Sequence, residues 1–249
     1  MAASNIVSSL FGIILFIYLA RALGPEAFGY ISYVFTLIFF LYNFIDMGLS
    51  TYGIREVAKH KKNVSIYVSE IVTLRLFIAV ILSILLVTGV SLFARSSITK
   101  VLALESSLML ISLALATEWA FQGIEDMRMV FISFAVTSIL QLGLICFFVK
   151  DQADIFRAPI LYVAATIPII VIFLKKLKFT IRVKLSDFKN MFSHLSGAMT
   201  LWLISIFVQI YNGFDIFMLG LFRPIEEVGY FTVSRRVTGS LAVFMLFLA

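Results

Sequence analysis

The stretch Ser69-Glu70-Ile71-Val72-Thr73-Leu74-Arg75-Leu76-Phe77-Ile78-Ala79-Val80-Ile81-Leu82-Ser83-Ile84-Leu85-Leu86-Val87-Thr88-Gly89-Val90-Ser91-Leu92-Phe93-Ala94 decides the fold class, because it carries no charge from Leu76 to Ala94. A bilayer core of about 30 Å needs about 20 apolar residues at 1.5 Å each, and this run supplies them. The rest of the chain has the same character: 249 residues, 61% apolar and 14% charged, with 26 Phe against 4 Pro. A soluble domain is nearer half apolar and a quarter charged, and so much apolar surface cannot stay wet as a disordered chain. The class predicted is an all-α polytopic membrane protein.

Charged punctuation divides the apolar runs into eight predicted spans, at residues 5–20, 28–49, 69–94, 101–122, 129–149, 155–174, 197–222 and 228–249. The first is read as a retained helix and not a secretory signal, since no basic region precedes it. The loops after even-numbered spans hold eleven Lys and Arg, and those after odd-numbered spans six. Positive loops stay inside, so the even loops and the amino terminus are expected in the cytoplasm. The net charge of +6 therefore reports orientation and implies no nucleic acid. Cys146, the single cysteine, reads as a small hydrophobe and cannot form an internal disulfide.

The expected organisation is a six-helix bundle over 1–174, a basic cytoplasmic linker over 175–196, and two helices of a second bundle over 197–249. The linker places Phe188, Met191, Phe192 and Leu195 on one helical face after Ser186 as a cap. Either an interfacial amphipathic helix or a plain basic connector accounts for that pattern. An internal echo supports two bundles. Gly24-Pro25-Glu26-Ala27-Phe28-Gly29-Tyr30 returns as Arg223-Pro224-Ile225-Glu226-Glu227-Val228-Gly229-Tyr230. Six spans separate the copies, which makes them parallel and relates them by an axis along the membrane normal, as in transporters that rock two bundles. The second bundle is incomplete on this reading, and the chain looks like a fragment.

A charge at mid-bilayer costs about 2.5–3.5 kcal/mol on insertion scales, so intramembrane ionisable residues are the candidates for function. Arg75 lies inside the third span, where snorkelling is the alternative; Asp46 and Glu118 lie near the cytoplasmic ends of the second and fourth. Asp215 interrupts the seventh span three residues after Asn212, on the same face. Arg235 and Arg236 enter the eighth, unless a shifted boundary leaves them at the interface. His60 and His194 sit in basic loops away from carboxylate pairs or cysteine, so no metal or nucleophile signature arises, and there is no phosphate-loop pattern. Enzymatic function has no positive support.

Several motifs resemble the polysaccharide-biosynthesis transporters, the O-antigen and capsule repeat-unit flippases of the multidrug/oligosaccharidyl-lipid/polysaccharide exporter superfamily. They are Tyr18-Leu19-Ala20-Arg21-Ala22-Leu23-Gly24-Pro25-Glu26-Ala27-Phe28-Gly29, Asp46-Met47-Gly48-Leu49, Ile54-Arg55-Glu56-Val57-Ala58, Glu118-Trp119-Ala120-Phe121-Gln122-Gly123, and Tyr211-Asn212-Gly213-Phe214-Asp215 running to Val228-Gly229-Tyr230-Phe231. The family pattern often has proline before the Trp-x-Phe-Gln-Gly stretch, where this chain has Glu118. It also has twelve or more spans in two lobes. The resemblance implies a flippase moving undecaprenyl-pyrophosphate-linked oligosaccharide across the inner membrane of a bacterium or archaeon, by alternating access. Its partners would be that lipid-linked substrate, membrane lipid and other polysaccharide-assembly proteins. On this reading Arg75, Arg235 and Arg236 attract the headgroup, while Asp46, Asp215 and Asn212 are polar or ion-coupling positions. No cofactor is expected beyond coupling to H+ or Na+. The competing readings are a multidrug-type exporter of the same superfamily, a membrane enzyme acting on the same lipid-linked sugars, and an inactive truncated remnant.

Overall fold

A computed structural model describes the backbone of residues 2–94, 96–180 and 185–248. Side chains are described for the same residues except 2–9, 185–197, 201, 212, 237 and 239–248. The described residues form nine α-helices and two short 3-10 turns, with no strand. The α-helices are α1 (Ala2–Asp46), α2 (Leu49–Lys59), α3 (Val64–Phe93), α4 (Ser97–Ala114), α5 (Glu118–Gly123), α6 (Met127–Phe148), α7 (Arg157–Lys176), α8 (Leu185–Phe222) and α9 (Ile225–Leu248). The all-helical membrane class read from the sequence stands. Its count of eight spans does not carry over directly. Among the described residues five segments are long and apolar enough to cross a membrane, and Ala198–Tyr211 with Gly213–Phe222, bent by 49°, makes a sixth if taken as one span.

The difference begins in α1, which is two arms and not one rod. Gly24 has φ 72 and ψ 174, a conformation open to glycine, and Pro25 follows it. Twelve residues of continuous helix would separate Phe16 from Phe28 by about 18 Å. Their rings instead meet edge to face with centroids 4.8 Å apart, so the chain doubles back at this turn. The predicted boundaries move elsewhere too. The fourth span is broken over residues 115–117, between α4 and α5, and α8 starts at Leu185, inside the expected linker. The linker's proposed face (Phe188, Met191, Phe192, Leu195), its cap Ser186 and the side chain of His194 lie outside the described residues. Residues 49–59, assigned to a loop by their charges, form α2.

Side-chain periodicity explains where each helix sits. On α3, Phe77, Val80, Ile81, Ile84 and Leu85 form an exposed apolar stripe, while Ile71, Leu74 and Ala79 are buried. Lipid solvates such a stripe at no cost, and interior contacts then depend on close packing more than on hydrophobic burial. Leu23, Ile38 and Ile45 of α1, Leu102 and Leu110 of α4, and Ile145 of α6 fill one core. Leu49, Val57, Ile71, Phe121 and Phe173 fill a second. In the latter, α2 turns Leu49, Gly53 and Val57 inward at a spacing of four.

The loops sort into two ends. At one, Lys61 Nζ lies 3.1 Å from Glu125 Oε1, Lys176 Nζ lies 3.6 Å from Asp126 Oδ2, and the Thr180 amide donates to Ser69 Oγ at 3.0 Å. At the other, the Ser96 hydroxyl donates to Tyr30 at 3.4 Å. The Tyr18 hydroxyl donates to the carbonyls of Cys146 and Val149 at 3.1 and 2.8 Å, and Cys146 itself is half-buried.

The two copies of the repeated turn meet at this second end. A Cβ on Gly29 would stand 2.1 Å from the Ile225 carbonyl oxygen, and one on Gly229 would stand 2.3 Å from that of Pro25. Each would also lie 3.3 Å from the other glycine's amide nitrogen. Residues 25 and 225, like 29 and 229, occupy equivalent places in the two copies, so the contact is reciprocal, as at a two-fold interface. The α1 to α9 pairing built on this contact is the most extensive between any two elements.

Candidate functional site

Two ionic clusters stand out, at different depths. The first forms where α1 ends. Met47 (φ 43) and Gly48 (φ 74) turn the chain sharply, and Asp46 Oδ1 reaches forward to accept from the Ser50 amide at 3.2 Å and its hydroxyl at 2.7 Å. Arg75 of α3 donates to the same oxygen and to Ser50 Oγ through Nη2. Its Nη1 donates to the Ala116 carbonyl at 3.2 Å. That carbonyl lies in the break between α4 and α5, where no helical hydrogen bond claims it, so the guanidinium satisfies an orphan of the broken span. The Arg75 Cζ is 5.9 Å from the Trp119 ring centroid, a cation–π distance. Arg75 has no exposed surface at all, whereas 18% of the Asp46 side chain is accessible. Close helix approach seals the cluster, since a Cβ on Gly53 would meet the Trp119 ring at 2.4 Å.

The second cluster lies deeper. Arg235 is ten residues into α9, about 15 Å along the helix from its start. Its Nη1 donates to both carboxylate oxygens of Asp215 on α8, at 2.5 and 2.6 Å. The pair is part-open, with 30% of the arginine and 39% of the aspartate side chain accessible. Arg236 is exposed, with its Cζ 5.6 Å from the Phe16 ring centroid on the first arm of α1 and its Nη2 close to Gly12. Beside this cluster, α8 crosses the second arm of α1. Gly220 packs on the Tyr33 ring, Tyr33 stacks on Phe217 at 6.3 Å, and the Trp202 indole donates to the Asn43 carbonyl at 3.1 Å. Between these contacts Thr36, Leu37, Phe40, Gln209, Gly213 and Phe217 help line a cavity of about 210 Å³.

The structure thus joins Asp46 with Arg75, and Asp215 with Arg235, as two separate pairs. Arg236 lies against the Phe16 ring, and the Asn212 side chain lies outside the described residues. In this arrangement Arg75 presents no face to a headgroup, because burial and three acceptors occupy it. Sequence reasoning missed Ser50, although its i, i+4 relation to Asp46 was available. It also missed the Ala116 carbonyl, which a broken helix reveals and residue type does not. Glu105 was overlooked as well: it lies within α4, with Oε2 buried and lacking a hydrogen-bond partner, and the insertion-cost argument applied to it equally.

Helices long and apolar enough to cross a bilayer, with charged pairs between them, define a multi-pass membrane protein. The chain belongs to the polysaccharide biosynthesis protein family, which it matches over residues 1–249. Among solved structures it is similar to a MOP superfamily transporter from Pyrococcus furiosus, described under the finding that the reverse polarity of its binding pocket suggests a different function. The TM-score is 0.57 at 17% identity, and the match covers 95% of this chain but 61% of that one, so the likeness concerns the fold. No curated protein matches the chain.

Proposed function

We propose that this chain acts in a flippase that moves an undecaprenyl-pyrophosphate-linked oligosaccharide across the cell membrane, the even-numbered loops facing the cytoplasm. The observation that carries this reading is the part-open Asp215–Arg235 pair, joining the apolar helices α8 and α9 that follow the sixth predicted span. A desolvated ion pair there is costly, and an opening to water lowers that cost. Arginine offers a planar fork of donors suited to a pyrophosphate. An arriving headgroup would compete with Asp215 for Arg235 while Arg236 adds a second positive charge. The glycan's hydroxyls would occupy the wet path, and the isoprenoid tail would stay in lipid. Alternating access would follow from rocking of α8 and α9 against the α1–α7 bundle. Arg75 and Asp46 then serve as a frame for the cytoplasmic end, positioning the bundle without touching substrate. Membership of the polysaccharide biosynthesis family and the fold shared with a transporter support the reading.

The test is export in cells whose own flippase is deleted, together with flipping of a fluorescent lipid-linked oligosaccharide in proteoliposomes. Arg235→Ala and Arg236→Ala should each abolish flipping at normal expression, and Arg235→Lys should keep a fraction of it. Unchanged export in both alanine variants would remove the arginines from the path. The exposed Asp215 carboxylate gives the multidrug-exporter reading its one support, and efflux of a small cationic dye, lost in Asp215→Asn, would favour it instead.

A further inference from the structure

The transport reading leaves Glu118 without a role. It is the first residue of α5, where the fourth span resumes after its break, and it is flanked by two buried residues, Thr117 and Trp119. Thr117 Oγ1, Trp119 Nε1 and Arg75 Nε are buried and have no hydrogen-bond partner. Three donors thus lie around the break without an acceptor, and a buried donor left unpaired is destabilising. Arg75 acts electrostatically on Glu118.

The charge count of this neighbourhood is unbalanced. Arg75 supplies one positive charge, while Asp46 and Glu118 supply two carboxyls. Asp46 already has a cationic partner, because one of its oxygens accepts from Arg75, from the Ser50 amide and from the Ser50 hydroxyl. With Glu118 also ionised, the cluster would hold a net negative charge inside a spanning segment. One proton on Glu118 cancels it. Conversely, an ionised Glu118, between Thr117 and Trp119 in the chain, would supply an acceptor beside these donors. Other titratable or charged groups on the packed elements are Tyr42 on α1, Tyr52, Arg55 and Glu56 on α2, Glu70 on α3, Glu105 on α4, Asp126 and Arg128 at the start of α6, and Lys176 on α7. Of these, Lys176 lies 5.5 Å from the Phe121 ring.

We infer that Glu118 is a proton-binding site with two states. Protonated from water, it leaves Arg75 to Asp46, as in the present arrangement. On releasing that proton to water, its carboxylate engages Arg75 Nε and Trp119 Nε1 and shares the guanidinium with Asp46. Protonation would thereby set how firmly α5 is tied to α1 and α3. The inference concerns the chain's own charge state and holds or fails independently of any substrate.

Two measurements on the full chain in lipid nanodiscs test it. In pH-difference infrared spectra a protonated-carboxyl band should grow as pH falls, vanish in Glu118→Gln and persist in Glu105→Gln. The chain has two tryptophans, so Trp202→Phe leaves Trp119 as sole reporter. Its emission should follow the same one-proton curve and become pH-independent when Glu118→Gln is added. Should Glu118→Gln fail to fold, Glu118→Asp should shift the midpoint of both curves. A carboxyl band lost in Glu105→Gln instead, a band untouched by either Glu118 variant, or a flat Trp119 emission in the parent would each overturn the proposal.

Discussion

Arg75 and Asp46, 29 residues apart in sequence, are joined side chain to side chain at the end of α1, and the same guanidinium holds the broken fourth span through the Ala116 carbonyl. Breaking such a buried pair from one side strands the surviving charge, at about 3–5 kcal/mol, whereas replacing both partners by apolar residues is far milder. Asp46→Leu should therefore lower unfolding stability in detergent by about that much. Adding Arg75→Met should recover most of the loss. Equal destabilisation in the single and double variants would show that packing, and not charge, dominates the site.

The glycine contacts make a sharper prediction. Alanine at Gly29 or Gly229 meets a backbone carbonyl that cannot rotate away, at 2.1 and 2.3 Å. Spin labels at Glu26→Cys and Glu226→Cys, in a Cys146→Ser background, should report a longer separation in either alanine variant. Gly89→Ala and Gly143→Ala provide the contrast. Nothing lies within 4 Å of either Cβ position, so these should be neutral or gain up to about 1 kcal/mol of helix propensity.

Gly53→Ala tests the seat of α2. Its methyl would press on the Trp119 ring at 2.4 Å and the Ile71 side chain at 3.1 Å. Overpacking of this kind costs about 1–3 kcal/mol. The accompanying displacement should reduce the shielding of Trp119 from an aqueous quencher, read in a Trp202→Phe background.

The pH response of α2 follows from Glu56. A hydrogen bond from Lys59 at 3.0 Å, helped by Arg55, holds its carboxyl below the ordinary carboxylate range. A depressed carboxyl contributes stability above its unfolded value of about 4.3, and the contribution is lost as pH falls through the folded value. The pairs are surface-exposed on the basic side, so the effect is at most about 1 kcal/mol. The melting temperature of Glu56→Gln should fall below the parent's at pH 7, and the two should converge under acid.

The membrane class was legible in the sequence because it is written in residue type, as the length of the apolar runs. Boundaries were less so. α2 was hidden because Arg55, Lys59 and Lys61 made it read as a loop, while its inward face contains Gly53, which carries no hydrophobic signal. The break after α4 was equally silent, since Leu115-Ala116-Thr117 has neither glycine nor proline. The charged candidates were visible one by one, but their pairing was not. Asp46 with Arg75 and Asp215 with Arg235 are tertiary contacts that no local spacing encodes.

Only peptide planes meet where Gly29 touches Gly229, and that has a mechanical meaning. Interlocked side chains would act as gear teeth, committing neighbouring helices to a few discrete settings. A bare-backbone bearing has no teeth to strip, so at this one point of contact a small change of angle between the two turns needs no rotamer to flip.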